Sequence, residues 1–555
     1  MSVVAAMLLA LVFCAYIAYP LGVMVMQSLR GAEGLTFALY ASLFDPASTA
    51  NLEAIGNSVL VSLLSVGCAG LLGLLLAFAF TQLEFRFRSQ LSRLAVLPVA
   101  LPPLVGVIAF LFAFGETGII PRGLHLVTGT DPSAIALSGV AGVLVIHVYS
   151  FHVYFYLFCS ASLRALDASL LEAAAGMGAG AWRTLRSVIL PELRPALVGA
   201  SALTFMASMA SFTAPLLFAG DRRFLALQIF QTKLNGDLEL AAAQSVLLTL
   251  VSVALYAVMT SAMPSHGARR AGKGTVRHGT LAVSRRARRT IVAATLLILA
   301  LEALPVLVIL LLSFAREGSW TTQWLPAAYS AASYTALVTD PAAFAPLLNS
   351  ILLAAITLVA ALLFGVPAAY IATKGKRRAT GRALQVVLTV PYAVPGTVVA
   401  IAMILAFNTP TPATGGVVLV GTFWILPLAY FFREYPLVIR STSASLEGLD
   451  DALLEAAEGL GASAWRRFRV VVFPLILPGV IAGGVLVVIA ALGEFVSSIL
   501  LYTYANRPVA VEILSQLRLF NIGTAAAYAV ILMLIILLLV RASGVFRDGK
   551  AESVV

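Results

Sequence analysis

Residues 166–195 read LDASLLEAAAGMGAGAWRTLRSVILPELRP, and residues 449–478 read LDDALLEAAEGLGASAWRRFRVVVFPLILP. Laid side by side without a gap, at an offset of 283, the two stretches agree at 17 of 30 positions. The matches include Glu172/Glu455, Ala173/Ala456, Ala174/Ala457, Gly178/Gly461, Trp182/Trp465, Arg183/Arg466 and Pro191/Pro474. Chance agreement in an Ala- and Leu-rich chain would not bring Glu, Trp, Arg and Pro, all uncommon here, into one register. The chain is therefore an internal duplication. Within the first copy, helix formers run up to three close glycines, Gly176, Gly178 and Gly180, after which Arg183 and Arg186 lie at i and i+3 of a second helical run that reaches Pro191. The stretch predicts a helix, a glycine turn and a second helix.

Composition places that stretch in its setting. Apolar residues make up 61% of the 555 residues and charged residues 11%, against roughly 45–50% and 25% in soluble domains. This excludes an ordinary soluble protein and predicts an all-α polytopic membrane protein. Apolar runs of about 20 residues mark membrane helices, and six precede residue 263, at 3–26, 56–80, 95–115, 138–159, 196–219 and 241–262. A second six lie at 291–314, 348–372, 384–407, 416–438, 476–501 and 522–540. The first run lacks the basic start and cleavage site of a signal peptide, and it is kept as a span. The expected fold has twelve transmembrane helices in two six-helix repeats, 1–263 and 290–555. An even number of spans per repeat gives the two the same orientation in the membrane. The duplicated stretch, the least apolar long segment of each half, is expected outside the bilayer and pressed against a partner. Cys14, Cys68 and Cys159 all fall in apolar runs without CxxC spacing, which predicts buried thiols rather than a disulfide or metal site.

Charge orients the set. With both termini and both duplicated loops on the cytoplasmic side, interior segments hold 27 Lys and Arg and exterior segments 8, as the positive-inside rule requires. Eight of the interior charges fall in 264–289, PSHGARRAGKGTVRHGTLAVSRRARR, which has no acidic residue and reads as a basic cytoplasmic linker between the halves. This distribution accounts for the net charge of +11 by the lipid bilayer, with no nucleic acid. Other positions repeat as well: Asn57-Ser58 and Asn349-Ser350 open spans 2 and 8, and LPVALPP at 97–103 matches VPYAVPG at 390–396.

The pattern EAA, three residues, Gly, nine residues, an aliphatic residue, any residue, an apolar residue and Pro resembles the cytoplasmic EAA loop of permease subunits of ATP-binding-cassette (ABC) importers. Glu172, Ala173, Ala174, Gly178, Val188 and Pro191 fit it in the first copy. Glu455, Ala456, Ala457, Gly461, Val471 and Pro474 fit it in the second, with Phe473 where Leu is usual. The resemblance covers nearly the whole chain and is nearest to fused two-half permeases of the ferric iron, thiamine and phosphonate group, whose type I fold carries the EAA motif twice. It implies a subunit of the bacterial cytoplasmic (inner) membrane. It further implies two cytoplasmic ABC ATPase subunits docked on the EAA loops, at about 161–195 and 441–478, and an extracytoplasmic substrate-binding protein on the other face. ATP and Mg would be bound by the partner ATPase. This chain has no GxxxxGK[ST] loop of its own, so it is expected to be a transport subunit with no catalytic residues.

Candidate pathway residues follow from the spans after each EAA loop. Ser211-Phe212 stands opposite Glu494-Phe495 at the repeat offset, among small residues suited to a helix that lines a central path. An acid such as Glu494 is costly there unless it meets water or a partner. Paired prolines, Pro98 and Pro102 in span 3 and Pro391 and Pro395 in span 9, free backbone carbonyls and so should face the bundle interior, as packing kinks or as substrate contacts. His147 and His152, at i and i+5, point apart on a helix, which favours interhelical bonding over a shared metal. Glu302 and Arg433-Glu434 read as buried pairs or snorkelling groups. The function expected is import of a substrate delivered by a binding protein, with ferric iron first and thiamine or a phosphonate as alternatives. An ion-coupled secondary transporter, also commonly built from repeats, is the reading from a different class, but it leaves the duplicated loop unexplained.

Overall fold

The computed structural model describes residues 3–31, 34–261, 283–374, 384–385 and 387–543, and over them the chain is almost wholly helical. The principal helices of the first half are α1 (Met7–Ser28), α2 (Thr49–Gln82), α3 (Pro103–Thr128), α4 (Gly139–Arg164), α5 (Ala181–Met209) and α6 (Leu238–Met259). Those of the second are α7 (Arg285–Leu312), α8 (Pro341–Lys374), α9 (Gly396–Phe407), α10 (Ile425–Glu447), α11 (Ala464–Gly493) and α12 (Ile522–Ser543). Ten of these are long and apolar enough to cross a bilayer, and α9 makes an eleventh only with Val387–Ala393, from which it bends by 109°. The twelfth expected span, α10, falls short because Arg433, Glu434, Arg440 and Glu447 interrupt it, although its repeat mate α4 qualifies. Outward faces are apolar, with Leu71, Leu363 and Leu538 well exposed, as helices in lipid require. For the same reason Cys14 and Cys68 are exposed and only Cys159 is buried, which corrects the expectation for two of the three thiols.

Several boundaries differ from the sequence reading for physical reasons. Helix α7 starts at Arg285, inside the expected linker, because the Ser284 hydroxyl accepts the Ala287 N–H and caps it. Residues 264–282 of that linker lie outside the described residues. The fifth and eleventh spans begin earlier and end sooner than expected. At the near end, the second helix of each duplicated stretch runs without a break into the span. Pro191 and Pro474 cannot donate a backbone bond, and a π-helical turn directly before each, Leu185–Ile189 and Phe468–Val472, absorbs the mismatch. At the far end α5 stops at Met209, and a short helix, Thr213–Phe218, follows around Pro215. Helix α11 likewise stops at Gly493 before Val496–Leu501.

The halves interlock. Helix α1 packs on α6 and α9, and α7 packs on α2, α3 and α12, so the first helix of each half lies against the other half. Tyr16 donates to the Ala413 carbonyl at 2.6 Å, while Arg122 bonds the Gln323 carbonyl at 2.7 Å and Trp324 Nε1 the Ile119 carbonyl at 3.1 Å. The repeated Asn-Ser pairs have the same task in both halves. Ser58 and Ser350 accept the first N–H groups of the helices Leu225–Leu234 and Val509–Arg518, from Leu225 and Val509, each at 2.8 Å. Asn57 and Asn349 donate to the carbonyls of Arg223 and Arg507 just ahead of those helices.

Each of those two helices ends in the same C-terminal cap. Gly236 donates to Lys233 O and Asp237 to Thr232 O in one, Phe520 to Leu517 O and Asn521 to Gln516 O in the other. The cap needs a left-handed residue: Gly236 takes φ +87° without cost, but Phe520 is forced to φ +60° while 82% exposed. Relief of that strain, about 1–2 kcal/mol, outweighs the chain-entropy cost of glycine. Phe520→Gly should therefore raise the thermal unfolding midpoint of the purified protein. A lower midpoint would show that the phenylalanine side chain carries stabilising contacts.

Candidate functional site

The duplicated stretches form two copies of one surface device. In the first, Asp167 accepts the Ser169 N–H at 3.0 Å and starts the helix Ala168–Gly176. In the second, Asp450 accepts the Ala452 N–H at 3.0 Å and starts Asp451–Gly459. Both helices end in a Schellman cap, with Ala179 N–H on Ala174 O at 2.9 Å and Ala462 N–H on Ala457 O at 3.0 Å. The left-handed residues of these caps are Gly178 (φ +73°) and Gly461 (φ +76°), where any side chain would be strained although nothing lies close enough to clash.

The motif residues divide by face. Glu172, Ala173, Glu455 and Ala456 are exposed, Ala174 is buried and Ala457 half-buried. Pro191 is half-buried and Pro474 exposed at the start of their long helices. Beside the acids stand large, well-exposed apolar side chains: Met177 and Trp182 in one copy, Leu460 and Trp465 in the other, exposed by 69% to 89%. The Met177/Leu460 pair was absent from the sequence reading, since an apolar residue in an apolar chain carries no signal until its exposure is known. The two devices are seated on equivalent apolar residues, with Leu449, Leu454, Val472 and Ile476 of the second in the places of Leu166, Leu171, Ile189 and Leu193 of the first. Leu166, Leu171, Ile189 and Leu193 seat the first against Phe80 and Tyr156. The second is tied by Lys374 Nζ to Asp451 Oδ1 at 2.5 Å and to the Leu449 carbonyl at 3.1 Å, and by an Arg467–Glu458 ion pair.

At the far ends of α5 and α11, about 45 Å along each helix at 1.5 Å per residue, the expected pathway residues converge. Phe212 and Phe495 are both fully buried, and their ring centroids lie 6.1 Å apart. Ser211 beside them is half-buried. Pro102 packs on the second half, where a Cβ built on Gly493 would lie 3.4 Å from its own. The prolines do break helices. Leu101 and Pro102 are extended between two helical segments, as are Val394 and Pro395, while Pro98 and Pro391 are buried one turn earlier.

Glu494 is not solvated; its carboxylate accepts the Ser497 N–H at 2.7 Å and meets Arg433 Nη1 at 3.0 Å. Arg433 is thus a site residue that sequence reasoning left at a span end. The available signal was that both charges appear in the second half only, with Ser150 and Ser211 at their repeat positions in the first. The histidines part company as their spacing suggests. His147 Nδ1 lies 2.9 Å from Ser208 Oγ and 3.2 Å from Ser65 Oγ, and His152 Nε2 lies 3.1 Å from Glu302 Oε1 on α7.

Comparison with known proteins agrees with this arrangement. Residues 69–270 and 361–547 each match the family described as binding-protein-dependent transport system inner membrane component. A probable ABC transporter permease protein, y4fN, of Sinorhizobium fredii is 32% identical over 75% of this chain and 73% of its own length. The ferric transport system permease protein FbpB of Actinobacillus pleuropneumoniae is 24% identical over 88% of this chain and 70% of its own. The molybdenum transport system permease protein ModB of Mycobacterium bovis is 36% identical over 33% of this chain and 68% of its own. With the match falling once in each half, the chain belongs to the family of binding-protein-dependent transport system inner membrane components, as a fused two-half ABC permease.

Proposed function

We propose that this chain is the transmembrane permease subunit of an ATP-driven importer, with a separate ATPase subunit docked on each EAA loop and a binding protein delivering substrate at the opposite face. The observation that carries this reading is the pair of identical surface devices. Each presents a short capped helix with an exposed acid (Glu172, Glu455), a glycine-turned corner and bare apolar knobs (Met177 and Trp182, Leu460 and Trp465). Exposed aromatic and aliphatic side chains beside a charge are the composition of an interface centre. ATP and Mg belong to the docked subunits. The loops are cytoplasmic and both termini lie on the same side, a reading supported by the 27 to 8 basic asymmetry. On that orientation the Phe212–Phe495 contact closes the path near its outer end. Ferric iron is the substrate we favour, supported by the resemblance to the fused iron, thiamine and phosphonate group. Thiamine and phosphonates are the alternatives.

Orientation is tested in a background without Cys14, Cys68 and Cys159. Thr130→Cys should react with an impermeant maleimide in intact cells, and Ser89→Cys only after lysis; both positions are exposed. The reverse pattern would invert the protein.

Coupling is tested by paired variants. Glu172→Ala with Glu455→Ala, and separately Gly178→Asp with Gly461→Asp, should leave normal amounts of protein in the membrane yet lower substrate uptake at least about tenfold, since each removes an interface centre. Retention of the ATPase by washed membranes should fall, or its hydrolysis should cease to respond to loaded binding protein. Full uptake by either variant at normal abundance would remove these loops from the coupling role. Uptake of radioactive iron that is unchanged when the gene is deleted would remove iron as the substrate and leave the coupling test intact.

A further inference from the structure

We infer that Arg433 and Glu494 form a latch that holds Phe495 as the fixed jaw of the path's closure, so that the closure is built asymmetrically and Phe212 is its moving jaw. The inference rests on the reading of this chain as an importer permease. Three chain breaks of the second half meet at one place: the end of α11 at Gly493, the start of the helix Val496–Leu501, and the start of α9 at Gly396. Glu494 ties all three. One carboxylate oxygen receives the Ser497 N–H at 2.7 Å and the other faces Arg433 Nη1 at 3.0 Å, while Arg433 Nε lies 3.9 Å from Glu434. The guanidinium rests directly on the backbone of α9, since a Cβ at Gly396 would come within 2.2 Å of Nη1. Ser497 Oγ reaches the Gly396 carbonyl at 3.4 Å, and Tyr430, one turn from Arg433 on α10, shares a 2.7 Å hydrogen bond with Ser498 Oγ. The residue between these anchors is Phe495.

Among the described residues, the first half gives Phe212 no ion pair: its ring packs edge-on against Phe230 at 5.3 Å, and the nearest side-chain tie on α5 is Ser208 to His147 at 2.9 Å. Ser150 and Ser211 occupy the positions of Arg433 and Glu494, and among the described residues the Ser211 hydroxyl has no side-chain partner. The turn at Phe212 is held by backbone bonds, with Ser211 N–H on Ser208 O at 3.1 Å and Leu216 N–H on Phe212 O at 2.9 Å. A buried ion pair constrains geometry because loss of either member strands a charge out of water. One jaw is therefore clamped by charge to two neighbouring helices, and the other, held by apolar packing and its own backbone bonds, can follow α5.

The test uses the full chain in lipid vesicles and measures efflux of trapped rubidium ions. Glu494→Gln and Gly396→Ala should raise efflux at least about tenfold, because each releases the jaw without removing its phenylalanine. Arg433→Leu with Glu494→Leu removes both charges together, so it should restore any folded protein that a single variant loses, yet remain leaky. Glu512→Gln serves as the comparison: it breaks an equally buried pair, with Arg507 at 2.7 Å, elsewhere in the second half. Its vesicles should stay tight. Tight vesicles from the double Leu variant and from Gly396→Ala would overturn the latch, and so would equal leakage from Glu512→Gln. The importer reading is judged separately, on whether wild-type vesicles carrying ATPase hydrolyse ATP in response to loaded binding protein. Failure there with leaky Glu494→Gln vesicles would remove that reading and leave the clamp on Phe495 standing.

Discussion

A helix transmits displacement along its axis while its hydrogen-bond ladder holds, and α5 and α11 run as single helices from the EAA loop to the Phe212–Phe495 contact, each short of a backbone bond only near its start, at Pro195 and Pro478 inside the helix. Each begins beside an exposed tryptophan, Trp182 or Trp465, and ends next to a jaw phenylalanine, Phe212 or Phe495. Prolines at 191 and 474 would ordinarily kink such a rod. Each half instead places a five-residue π turn immediately before the proline, where Leu190 N–H reaches Leu185 O and Phe473 N–H reaches Phe468 O. That wider turn is the softest part of the ladder. Force applied at the loop would thus pass along a rod whose compliance is gathered at its near end, in the π turn and in the missing bond at Pro195 or Pro478.

The two halves share this backbone and differ in the polar ties that fasten it. Both EAA loops are seated on equivalent apolar residues, Leu166, Leu171, Ile189 and Leu193 in the first and Leu449, Leu454, Val472 and Ile476 in the second, where Lys374 and an Arg467–Glu458 pair also tie the loop. The first jaw has serines where the second has Arg433 and Glu494. His147 is hydrogen-bonded where its repeat mate Tyr430 is, yet to serines at non-equivalent positions, Ser208 in one half and Ser498 in the other. Charges in the membrane are tolerated when they come as complements, which is why the second half has both members of its pair and the first has neither. A duplicated scaffold with an ion pair at one phenylalanine and none at the other can assign holding and moving to different jaws.

Much of this was legible in the sequence because it repeats. The offset of 283 located the EAA loops, their glycine corners and the phenylalanine pair, and the apolar runs located the spans, α10 among them at 416–438, although its helix runs Ile425–Glu447. Helix ends were less legible, since hydropathy measures what lipid will accept and not where hydrogen bonding stops. The fifth and eleventh spans read as ending near 219 and 501, although the ladder stops at Met209 and Gly493 and resumes in short helices that are equally apolar. Arg433 reads as a member of a buried pair, but its partner Glu494 was not legible for a related reason. Its partner lies 61 positions away, and only the folded chain shows that Gly396, a third element again, leaves room for its guanidinium.

Interlocking of the halves limits how such jaws can open. Helix α1 lies on α6 and α9 and helix α7 on α2, α3 and α12, so pulling the halves straight apart would strip each first helix from its own sequence neighbours or from the opposite half. Both options expose apolar contact and, for α7, the buried His152–Glu302 pair, at a cost far above that of sliding packed helices past one another. The permitted motion is rotation of the halves about their shared core, with α1 and α7 moving with the half they rest on. Such a rotation turns the far ends of α5 and α11 relative to each other. Where one of those ends is clamped to α9 and α10, as at Glu494, the relative movement falls on the other, at Ser211 and Phe212.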